Sequence, residues 1–208
     1  MVSDASTHDS FGRWAGAAAI AASIGGVIYS AAFLGGVVLG FNPELGILVA
    51  SAALMVGGLL STVVLVAIYE RVGGGSLALV GLACGLLGAL GAIVHGGYDL
   101  AIALNAPTSD PITDAGLPSP VDPRGLLTFG MAGLGVLILS AIARANGTFS
   151  MPVATIGIVL GILLILVYLG RLIILTPTSP LVAVPAGLAG VIVGPFFYFA
   201  VGLELRRR

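Results

Sequence analysis

Three side chains able to act together lie close in one apolar run: His95, Tyr98 and Asp99. At i, i+3 and i+4 they share one helix face, so an imidazole, a phenol and a carboxylate form a single polar patch. A histidine beside an aspartate offers a general base with its orienting partner. Hydrolytic or transfer chemistry would also need a nucleophile, a carboxylate pair or a metal set. No serine has a place beside the pair, so the chain is not expected to be an enzyme.

A second set lies further along. Gly81, Gly85 and His95 are spaced like Gly157, Gly161 and Arg171, which puts Arg171 at the depth of His95 and Tyr168 one turn before it. On that spacing Asp99 and Arg171 are expected within salt-bridge reach. The five residues His95, Tyr98, Asp99, Tyr168 and Arg171 then fit a pocket for an anionic or polar headgroup or substrate, with the Arg171 fork as donor. They also fit an interfacial ion pair and aromatic belt that fix helix register and depth. The cost of intramembrane charge, set against a shallow depth, weighs toward the second.

Other chemistry finds little support. His95 could ligate a haem or pigment, but a two-histidine haem needs a second histidine, and His8 lies in the polar start. Asp110, Asp114 and Asp122 do not have the spacing of a calcium loop. All eight basic residues are arginine, which excludes a lysine Schiff base or nucleophile. Cys84 is the only cysteine, so neither an intrachain disulfide nor a cysteine metal site is available. No metal and no cofactor is expected.

The elements that carry these residues are membrane spans. The 208 residues are 58% hydrophobic and 8% charged, with a mean hydropathy of +1.16, too apolar to stay dissolved. A net charge of −1 gives no footing for nucleic acid. The expected fold is an all-α membrane protein, a six-transmembrane-helix bundle. A polar tail over 1–12 leads into a membrane domain over 13–205, with spans at about 14–39, 45–69, 77–104, 125–143, 152–175 and 181–203. Residues 206–208 are a basic C-terminus, and 105–124, with five prolines and three aspartates, form the one sizeable loop.

Arg13, Arg71, Arg144 and the terminal triplet fall on one side of these spans, against Arg124 alone in the opposite loops. The positive-inside rule then makes both termini cytoplasmic and the 105–124 loop extracytoplasmic. Counting ~1.5 Å per residue from Ser76, His95 lies roughly 28 Å into a core of about 30 Å, near the outer interface.

The 32 glycines suit close helix approach. Gly81, Gly85, Gly157 and Gly161, with the ladder Ala186, Gly190 and Gly194, are expected as packing faces within the chain. Pro185 and Pro195 are expected to kink or loosen the sixth span, their freed carbonyls being met by neighbours or water.

Gly12-Arg13-Trp14-Ala15-Gly16, together with Ala67-Ile68-Tyr69-Glu70-Arg71 and the small and aliphatic fourth and fifth spans, resembles a family of bacterial six-helix membrane proteins known only as a domain of unknown function. The resemblance implies a six-helix fold and carries no activity. The outer loop and His95 to Asp99 are not part of its pattern.

The function expected from sequence is a structural or accessory protein of a bacterial or archaeal cytoplasmic membrane. It would work through helix packing with lipids and other membrane subunits, and have no nucleic-acid partner. The alternative is a transporter or channel for a small or amphipathic solute, with the polar cluster at its outer mouth.

Overall fold

The computed structural model describes residues 4–105, 125–174 and 179–207. Among them the chain is helix and tight turn, and six helices are long and apolar enough to cross a membrane. Helix α1 runs over Asp4–Ala31 and continues as a π-helix over Ala32–Val38; α2 is Pro43–Arg71 and α3 is Ser76–Asn105. Helix α4 opens as a π-helix over Leu126–Met131 and continues over Ala132–Asn146, and α5 is Met151–Ile174. Helix α6 runs from Pro180–Gly187 through a π-helix, Leu188–Val193, into Gly194–Arg206.

The ends of these helices are written in the sequence. Asn42 caps α2, its side chain accepting from Leu45 N at 3.1 Å, with Pro43 in the first turn. The reversal into α3 needs three consecutive left-handed residues, and Gly73, Gly74 and Gly75 supply them at φ 86°, 71° and 95°. Helix α4 stops at Gly147, also left-handed, whose N–H meets Ala143 O.

Some boundaries depart from expectation. The start expected as a tail is helical from Asp4, and Phe11 packs against the core. Helix α4 continues past residue 143, keeping Arg144 and Asn146 helical, and Arg206 ends α6 rather than opening a basic tail. The loop expected over 105–124 lies outside the described residues apart from Asn105, which ends α3.

Each helix packs against its neighbours in sequence, and α6 closes back against α1, so the six form a ring in chain order. Small residues set the spacing of its seams. Gly81, Gly88 and Gly91 of α3 face Ile138, Ala132 and Leu127 of α4, and a Cβ on Gly88 would lie 2.5 Å from Ala132 Cα. The closing seam is as tight: a Cβ on Gly16 would stand 2.8 Å from Gly202 O.

At the arginine-rich end three contacts pin the connections together. Asn146 Nδ2 donates to Val72 O at 3.3 Å, the Arg71 guanidinium lies 5.5 Å over Phe149, and Ser150 N–H donates to the Glu204 carboxylate at 3.1 Å.

The π-helical stretch of α6 follows from its prolines. Pro195 has no N–H, and the carbonyl five residues back that a π-helical N–H would have met is that of Gly190. Ser30 of α1 donates to it at 3.0 Å, and Ser23 donates to Pro195 O at 2.7 Å. Ser30→Ala is therefore expected to cost about 1 kcal/mol. It should lower the thermal midpoint of the purified chain by about 2–4 °C. An unchanged midpoint would mean that the carbonyl finds its partner elsewhere.

Candidate functional site: a cavity inside the helix ring

A ring of six helices leaves a centre to be filled, and here it is not filled. A cavity of about 230 Å³ lies there, lined by residues of all six helices. An apolar cavity of about 150 Å³ already holds a benzene ring, so the space suits a small molecule.

The wall has two components. Half of the lining residues are glycine or alanine. Polar side chains come singly from five helices: Tyr29 of α1, Ser61 of α2, His95 of α3, Thr128 of α4 and Tyr198 of α6, while α5 gives Leu160 and Leu164. Ser61 donates to Gly57 O of its own helix at 2.8 Å.

Two lining glycines differ from those of the seams. A Cβ added at Gly57 or at Gly190 would meet nothing within 4 Å, whereas one at Gly58 would lie 2.8 Å from Ala89 O. Close packing requires glycine at 58 and not at 57 or 190. A glycine inside a helix costs about 0.5–1 kcal/mol relative to alanine, and what positions 57 and 190 gain for it is space.

Of the outer cluster, His95 faces the cavity. Its side chain is 15% exposed, with Nδ1 buried and Nε2 3.4 Å from Asp99 Oδ2, while Asp99 is 35% exposed. Tyr98 lies half-buried on the same helix and does not line the cavity. The Tyr168 ring lies against Gly130, whose Cβ would come 3.1 Å from it, and the Arg171 guanidinium rests 5.5 Å over Phe129, itself a lining residue. The expected Asp99–Arg171 ion pair is not made among the described residues. Asp99 instead stands beside His95 and Arg171 beside Phe129, both lining residues, so each charge lies next to the cavity.

The packing candidates divide in the same way. A Cβ on Gly85 would press on Leu65, one on Gly161 on Leu137 Cβ, and one on Gly157 on Ser140 and Phe197. On α6 a Cβ on Gly190 would have open space before it, one on Gly194 would meet Ala189 of its own helix, and Ala186 is half-buried. Gly190 and Gly194 line the cavity, and the face of α6 that meets α1 carries Gly202.

Sequence reasoning passed over Tyr29, Thr128 and Tyr198 as site residues, since each stands alone in an apolar run. It also passed over Gly135, where a Cβ would fall 2.5 Å from Gly85 Cα, although Gly88 and Gly91 continue the Gly81, Gly85 series at helical spacing. Among the described residues no three His, Cys, Asp or Glu side chains gather as a metal site. No family model, curated protein or solved structure matches the chain, so the likeness drawn from Gly12 to Gly16, Ala67 to Arg71 and the small and aliphatic fourth and fifth spans rests on the sequence alone.

Proposed function

We propose that this chain is a multi-pass protein of a cytoplasmic membrane that holds, and passes, a small amphipathic solute through the centre of its helix ring. It is a transporter in kind and not an enzyme. The observation that carries this reading is the cavity itself, walled by every helix and kept open at Gly57 and Gly190, where larger side chains have room. A chain selected only for packing would gain by filling that space.

The arginine distribution supports cytoplasmic termini, which makes the end carrying Asp99 and Arg171 the outer mouth. Trp14, 75% exposed, suits an anchor at the inner interface. The accessory role expected from sequence loses ground in a ring that closes on itself, because its glycine faces are used within the chain.

Native mass spectrometry of the chain, extracted mildly from its own membrane, tests the reading. A small non-lipid adduct is expected on the wild type and none on Gly57→Leu. An adduct that survives the substitution, or companion chains in fixed stoichiometry with no adduct, would return the accessory role to first place.

A further inference from the structure

The ionisable groups are placed unevenly about the cavity, and this selects the charge of what can enter. Among the described residues no carboxylate lines the wall, and of their lining side chains only His95 can become positive. Asp99 stands one turn nearer the end, outside the lining, at 3.4 Å from Nε2. Its carboxylate steadies an imidazolium from outside the lining.

Among the described residues the other charged or titratable groups about the cavity are Tyr98 on the same helix as His95, Tyr29 from α1, Tyr198 from α6, and Arg171 from α5 beyond the Phe129 ring. The described lining residues of α2 and α4 bring none.

A charge taken into an apolar interior needs a countercharge beside it. A cationic guest would find none in the wall. An anionic guest would meet the imidazolium of His95, a lining side chain.

We infer that the cavity takes a small amphipathic weak acid as its carboxylate, apolar body among the glycines and alanines, with one proton taken up at His95 for each molecule bound above the imidazole range. The proton comes from water, the carboxylate enters with its charge, and the filled cavity gains no net charge. Above the imidazole range the apparent affinity falls about tenfold per pH unit, because only the protonated ring holds the guest. The inference rests on the cavity being a binding site.

Three guests with one body and different heads decide it: hexanoate, hexanol and hexylamine, titrated calorimetrically into the full-length chain at a pH above the imidazole range, in two buffers of different ionisation enthalpy. Hexanoate is expected to bind about tenfold or more tightly than the other two, with one proton taken up per molecule. His95→Gln should abolish the proton uptake and remove the preference for the acid, and Gly57→Leu should abolish binding of all three.

Hexanoate and hexanol binding alike without proton uptake, or a preference for hexylamine, would overturn the weak-acid inference and leave the cavity reading standing. Failure of all three to saturate a site sensitive to Gly57→Leu would overturn both. If His95→Gln does not fold, the wild-type proton count and its pH dependence decide the matter.

Discussion

Gly135→Val is expected to break the ring. A Cβ at this position meets the backbone N and Cα of Gly85 on α3, the latter at 2.5 Å, with Gly81 O at 2.8 Å. These are main-chain atoms within α3, so no side chain can swing aside, and α3 and α4 must separate. Overpacking of this kind costs about 1–3 kcal/mol for one methyl group, and valine adds three carbons. The gain in helix propensity over glycine, below about 1 kcal/mol, does not offset it. The thermal midpoint of the detergent-solubilised chain should fall by about 10 °C or the monodisperse peak should be lost. A midpoint within a degree or two of wild type would show the seam to be looser than this geometry allows.

The opposite result is expected at Gly57. Gly57→Leu places a side chain where a Cβ meets nothing within 4 Å, into a cavity of about 230 Å³. It removes the helix cost of glycine, about 1 kcal/mol, and restores dispersion contacts that an empty space forfeits. The midpoint should rise by about 2–4 °C while guest binding disappears. Gly190→Leu tests the same space from α6. Stabilisation with lost binding is the signature of a site held open against packing. A fall in midpoint like that at Gly135 would mean that the space is already taken.

These two glycines also mark what could be read from the chain. The six helices were legible because each is an apolar run ended by local signals: Asn42-Pro43, Gly73 to Gly75, Gly147. His95, Tyr98 and Asp99 were visible because three chemical groups share one turn. The rest of the site was not, because Tyr29, Thr128 and Tyr198 come from three separate helices and meet only through the ring.

A repeat of small residues announces close packing but not its partner. Gly81 and Gly85 are seam residues, whereas Gly190, just as well spaced in its ladder, opens on the cavity. The Asp99–Arg171 pair failed for a related reason. Equal depth on two helices does not fix the angle at which each faces the bundle, and Arg171 turns to Phe129. The polar start was misjudged because composition alone does not reveal that Phe11 will find a core to pack on.

A ring laid down in chain order has a history as well as a shape. During synthesis each new helix meets the one made just before it, so five of the six seams form between segments close in sequence. The sixth must wait: Ser23 and Pro195 are 172 positions apart, and Ser30 and Gly190 are 160 apart. Until α6 emerges the nascent protein is an open trough, its small-residue wall turned toward whatever surrounds it. The cavity comes into being only at the last step, when the youngest helix closes onto the oldest through two serine hydroxyls and a pair of facing glycines.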